Sequence, residues 1–328
     1  MKRKVTHREE RFPSKLILFE VITPLISALS VFVIFTFLNP VFIRLSNIAG
    51  IFSVASELGV TTLGVALLLI SGEFNLAVSS FYILTPLIMT IMANSGIDPF
   101  IALMISLAIT AIIGMLIGVT VVISKLHSFI LSLGFMMFLR GLALYITGGF
   151  PQDYMADQYL LYILNGRVAG DFRTSTLWFL TLTVIFAIII HRTKYGNWSY
   201  AAGGNPLVAH EVGVPVKRVK IINFMISSLV AGFAGCFSLS RVRVIDPSLG
   251  YGLELETLAA AVIGGCALSG GYGSIFGAFL GAVTLSMFRQ GLVLSGAPPY
   301  WYQAFIGPLL VGAASLNYFM IRKVLSYR

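Results

Sequence analysis

The chain has 328 residues, 57% of them hydrophobic and 11% charged, with 22 Lys and Arg against 13 Asp and Glu. A soluble domain carries about 25% charged residues, so this chain cannot coat a water-facing globule, and its mean hydropathy of +0.92 agrees. A soluble enzyme, a nucleic-acid-binding module and a disordered chain are excluded, as is a disulfide framework, because Cys236 and Cys266 stand alone in apolar runs.

What remains is an all-α polytopic membrane bundle, with apolar residues for roughly nine or ten crossings. A basic segment, 1–15, precedes the first apolar run at 16–38, which is too long for a signal sequence and has no cleavage site after it. Further runs lie at 47–70, 76–93, 97–123, 126–146, 176–190, 221–240, 253–268, 273–295 and 301–320, with a tail at 321–328. Ten spans place both ends on one side. With the N-terminus inside, 15 Lys and Arg fall in inner segments and five (Arg44, Arg167, Arg173, Arg241 and Arg243) in outer ones. That is the positive-inside asymmetry, and it assigns the net charge of +9 to membrane topology.

Two connections are long enough to act. The outer loop at 147–175 carries Asp153, Asp157, Tyr159, Tyr162 and Asp171, a surface expected to form a helix or lid. The cytoplasmic loop at 191–220 holds Gly203, Gly204, Asn205 and Pro206. Asn205 suits an N-cap, Pro206 the first helical position and Gly213 a stop. The resulting two-turn helix places Leu207 and Glu211 on one face. It has no apolar core of its own to pack on, so Leu207 and Val208 need a partner groove, or the helix lies on the bilayer beside Trp198 and Tyr200.

Ionisable groups within spans are costly and therefore informative. Glu57 is mid-span and is expected to pair with Arg140 or Arg289, or to line a polar cavity. Glu254 and Glu256 open the eighth run two residues apart, facing different ways, as helix N-terminal charges do. Gly114 and Gly118, and the stripe Gly273, Gly277 and Gly281, read as close helix contacts. Gly265 and Gly270 have P-loop spacing, but Gly271 and Tyr272 follow where a Lys and a hydroxyl are required, so no nucleotide or other cofactor is expected in this chain. No paired nucleophile and base can be assembled at depth; the chain reads as a non-enzyme.

Three stretches resemble one family, the permease subunits of sugar-type ATP-binding-cassette importers of the ribose, galactose and xylose group. Residues 71–80 are similar to its G-I-D-L-S-V-G-S motif, with Asn75 replacing the acid and Ser79 a glycine. Residues 195–217 resemble its cytoplasmic A-x-G-G-N segment, and 252–273 its E-L-(D/E)-x-I-A-A-x-V-x-G-G…G-G-x-G block. The resemblance implies a permease in a bacterial or archaeal plasma membrane, embedded in lipid. Its implied partners are a second permease subunit, a cytoplasmic ATPase and an extracytoplasmic solute-binding protein. It implies coupling through Gly203, Gly204, Asn205, Pro206, Leu207, Glu211 and Gly213, and makes Glu57, Asn75, Ser79, Arg140, Glu254, Glu256 and Arg289 the polar candidates for the pathway. A monosaccharide is the expected solute; nucleoside and branched-chain amino-acid importers share the architecture. The competing class, a stand-alone secondary transporter, predicts broken helices in matching places of two halves.

Overall fold

The computed structural model describes residues 14–298 and 300–325, with side-chain surroundings for 22–298 and 300–315. Most of the basic N-terminal segment and the end of the tail lie outside the described residues. Helices dominate. The first half comprises α1 (Ser14–Leu38), a 3-10 turn (Pro40–Ile43), α2 (Leu45–Ile70), α3 (Val78–Asn94), α4 (Pro99–Ser124) and α5 (Ser128–Thr147). A small cap follows: β1 (Gln152–Asp153), α6 (Tyr159–Asn165), β2 (Arg167–Ala169) and β3 (Phe172–Arg173). Then come α7 (Thr174–Arg192), α8 (Lys194–Gly204), α9 (Pro206–Glu211), α10 (Val216–Val242), β4 (Val244–Ile245), α11 (Leu253–Ile263), α12 (Ile275–Leu294) and α13 (Trp301–Leu325).

Among the described residues, α2, α4, α5, α7, α10 and α12 are each long and apolar enough to cross a membrane. The eighth apolar run differs from expectation. Only α11 forms there, and 11 residues rise about 16 Å, roughly half the hydrocarbon thickness. The chain then turns at Gly264 and Gly265, the latter at φ +88°.

Helices α2–α5 and α10–α13 pack by one scheme. α12 lies along α2 and α4 along α10; α3 packs on α4 and α5, and α11 on α12 and α13. α2 and α10 touch each other, α3 packs on α10, and α11 on α2. By the positive-inside assignment α2 and α10 run in opposite directions, the pattern of an inverted repeat. α2 is almost wholly buried at the centre, whereas little of α5 is buried.

Small residues permit the closest crossings. A Cβ on Gly114 would lie 2.6 Å from Ser228 Cβ, and one on Gly118 2.9 Å from Ile221 Cα, so both seat α4 on α10. A Cβ on Gly277 or Gly281 would overlap the carbonyl oxygen of Gly264 or Ala260, which joins α12 to α11. Gly273 does not continue that stripe: it precedes α12 at φ +155°, in the turn.

Candidate functional site

Between α2 and α3 the backbone leaves the helical ladder at 71–77 while still buried. Unpaired amides are expensive at that depth, so each needs a partner. Ser128 and Ser132, four apart on one face of α5, supply two: Ser128 Oγ accepts from Phe74 N at 3.0 Å and Ser132 Oγ from Leu76 N at 3.1 Å. Asn75 uses both ends of its amide, Oδ1 accepting from Ala77 N at 3.1 Å and Nδ2 donating to Ser228 Oγ of α10 at 3.3 Å. Ser79 is fully buried and donates to Leu76 O at 3.4 Å. Glu73 forms an ion pair with Lys220 of α10.

Three segments meet backbone to backbone just beside this break. Gly271 N donates to Ile70 O at 2.9 Å. A Cβ on Gly203, near the end of α8, would overlap Ile70 O and lie 2.6 Å from Gly271 N. One on Gly270 would lie 2.6 Å from Gly72 Cα and 2.8 Å from Gly203 O. Gly72, Gly270 and Gly271 have φ of +79°, +81° and +74°, a region that excludes most side chains. Tyr200 Oη adds a hydrogen bond to Gly273 O at 2.7 Å. The end of α8 is thus keyed into both irregular segments, 71–77 and 264–274, with no side chain between them.

From that junction α9 projects. Asn205 Oδ1 accepts from Leu207 N and Val208 N, both at 3.2 Å, Pro206 opens the first turn, and Gly213 turns the chain at φ +87°. Leu207, Val208 and Val212 are 79%, 53% and 73% exposed. Contrary to expectation the segment does have a small core, formed by Ala202, Ala209, Val214, Val216 and Val219. The sequence hides it because these small residues are scattered across α8, α9, the turn and α10.

The charge pairing also departs from expectation. Glu57 pairs with neither Arg140 nor Arg289. Arg241 binds it in a two-pronged contact, Nε to Oε1 at 2.8 Å and Nη2 to Oε2 at 3.1 Å, and Tyr82 Oη donates to Oε2 at 3.0 Å. The reason is that α10 runs to Val242, beyond the apolar run, which puts Arg241 in its last turn rather than in a loop. Arg140 instead sits 5.0 Å over the Tyr251 ring, and its Nε and Nη2 are buried without a hydrogen-bond partner, as is Glu254 Oε2. Arg289 lies 5.3 Å over the Tyr302 ring. Glu254 and Glu256 occupy the first turn of α11, where the helix dipole favours a carboxylate.

The loop at 147–175 is ordered. β1 pairs antiparallel with β4, Gln152 opposite Ile245 and Asp153 opposite Val244, while β2 and β3 form a hairpin. Leu160, Leu161 and Leu164 bury one side of α6. Asn165 locks it down, donating to Phe237 O at 2.8 Å and accepting from Ser175 Oγ at 2.7 Å. Tyr154 Oη donates to Asp157 O at 2.9 Å. Burial and the nearby Asp157, Tyr159 and Asp98 push its phenol up to about 12, so this donor keeps its proton at any physiological pH.

A buried break held by serines, a half-length helix, a repeated packing scheme and an exposed helix on the basic face define a helical membrane permease, not a pore of uniform helices. The chain belongs to the family described as "Branched-chain amino acid transport system / permease component", which it matches over residues 47–314. It is 34% identical to the xylose/arabinose import permease protein of Sulfolobus acidocaldarius, covering 88% of this chain and 82% of that one. It is 30% identical to the ribose import permease protein of Escherichia coli (89% and 91%) and 30% to an autoinducer 2 import system permease protein of an Enterobacter species (89% and 84%). No solved structure matches.

Proposed function

We propose that this chain is the membrane-spanning permease subunit of a binding-protein-dependent importer of the bacterial or archaeal plasma (inner) membrane, driven by a separate ATPase. The observation that carries the coupling role is the exposed apolar edge of α9, rooted in a glycine junction that touches both irregular intramembrane segments. A push on α9 reaches those segments through backbone contacts that leave no side-chain slack. A second permease subunit completes the pathway, and the outer cap docks the solute-binding protein. The solute is a small neutral polyol of monosaccharide type, supported by the names of the relatives. Arg140 and Glu254 offer it two donors and one acceptor that the protein leaves unused.

The family's description favours a second reading, a branched-chain amino acid. Uptake of labelled xylose, ribose and leucine into cells lacking and then regaining this chain, with its partner subunits present, tests both. Restored pentose uptake, abolished by Arg140→Gln or Glu254→Gln, supports the first. Restored leucine uptake alone replaces it with the second, and uptake independent of any ATPase overturns the importer assignment itself.

A further inference from the structure

A cavity of about 590 Å³ opens between the α4–α5 turn, the start of α10 and the 71–77 break. Val216 lines it and also belongs to the small core beneath α9, so the cavity adjoins the foot of that helix. Its polar lining is unbalanced. Three ammonium groups, those of Lys125, Lys217 and Lys220, and the His127 imidazole stand against one carboxylate, Glu73. Glu73 is committed to Lys220; among the described residues Lys125 and Lys217 form no ion pair.

Two helices also begin on this cavity. α5 starts at Ser128 and α10 at Val216, and no side chain caps either first turn. The positive ends of both helix dipoles therefore add to the lysines. The one opposing dipole, at the end of α4, is where Lys125 stands. Positive-inside bias needs basic residues near a membrane face but does not require them to share a concavity. A cleft lined by one sign of charge focuses its field on ions of the other sign.

We propose that this cavity binds a phosphomonoester, the phosphorylated form of a small polar metabolite, with its phosphate on Lys125 and Lys217 and on the first turns of α5 and α10. Lysines and open helix N-termini are favoured partners of a phosphate group. The volume is more than a bare ion fills, and it falls within the about 300–1,000 Å³ of small-molecule sites. Gly72, which meets Gly203 and Gly270 in the glycine junction, lines the cavity as well. A bound molecule therefore bridges the break and α10 and resists movement of one against the other. That braking consequence rests on the coupling role proposed for α9; the binding does not.

Isothermal titration calorimetry on the full chain in detergent, with ribose 5-phosphate as the probe, tests the site without any measurement of transport. Ribose 5-phosphate should bind once per chain, about tenfold or more tighter than ribose or inorganic phosphate. Lys125→Gln with Lys217→Gln should weaken it by about tenfold or more, the scale of one charge-assisted contact. The melting temperature should hold, both side chains being exposed. Lys125→Arg with Lys217→Arg keeps the charges and should bind within a few-fold of the parent. Arg192→Gln with Lys194→Gln, exposed basic residues outside the cavity, should bind as the parent does. No binding by the parent overturns the proposal, as does equal affinity in the Gln variant or an equal loss in the Arg192 and Lys194 control. Inorganic phosphate binding as tightly as ribose 5-phosphate leaves a simple ion site and overturns the small-molecule assignment. Phosphatidylglycerol that displaces ribose 5-phosphate at matched concentration gives the site to a lipid headgroup and overturns it too. For the brace, ribose 5-phosphate should slow deuterium uptake at 72–74; binding with unchanged uptake there would remove the bridge.

Discussion

Glu57 and Arg241 show how a single residue's role turns on where a helix ends. The two-pronged contact is directional and charge-assisted, but the Arg241 side chain is 39% exposed, so water screens part of it. A double-mutant cycle of Glu57→Gln and Arg241→Gln should give a coupling energy of about 1–3 kcal/mol by thermal denaturation in detergent. Pairing Glu57→Gln with Arg140→Gln should give none. Glu57 was legible as a buried acid in need of a cation; its partner was not, because Arg241 lies beyond the apolar run and hydropathy cannot see a helix continuing into polar sequence. The glycines divide just as sharply. Gly203→Ala forces a methyl into the Ile70 carbonyl and should cost about 1–3 kcal/mol or prevent assembly. At Gly204 the same methyl meets only Gly271 Cα, at 3.9 Å. Gly204→Ala should therefore insert, melt and transport as the parent does. Spacing alone ranked these neighbours equally, since nothing local tells which of them faces another backbone.

At the scale of elements, the cap signals at Asn205, Pro206 and Gly213 placed α9 within a residue or two, because capping is local chemistry. Introducing Leu207→Asp with Val212→Asp should reduce co-purification of the ATPase at least tenfold. Insertion and melting temperature should hold, both side chains being exposed and outside the small core beneath. Undiminished association would remove α9 from the coupling path. The 71–77 break was visible as a motif but its support was not. The clue was present in the sequence as two serines four apart at the start of an apolar span, a pattern equally open to a solvated helix face. Ser132→Ala orphans a buried amide and should destabilise by about 1–3 kcal/mol, and Ser128→Ala, which frees a half-buried one, by less. Faster deuterium uptake at 74–76 than in the parent, with α2 and α3 unchanged, would locate the damage.

For the whole molecule, hydropathy was enough for the class, because it follows from the bilayer as solvent. The repeat was barely legible: the turns at Ser71 and Ser269 hint at it, while the interchange of α2 with α10 and α4 with α12 emerges only from packing. Broken helices had been the mark of the competing secondary carrier. They are present, and it is family membership that separates the two classes.

The brevity of α11 bears on how the chain is made. Eleven residues opening on Glu254 and Glu256 fall well below the roughly 20 apolar residues that a nascent segment needs to enter the bilayer unaided. The segment should wait at the outer surface until α12 emerges, then enter with it as a hairpin clasped at Gly277 and Gly281. An Ile263→Cys reporter, in a chain with Cys236 and Cys266 replaced by Ala, should react with an external, membrane-impermeant maleimide when synthesis stops at residue 270. It should become protected when synthesis reaches 298. Protection at both lengths would mean that α11 inserts alone.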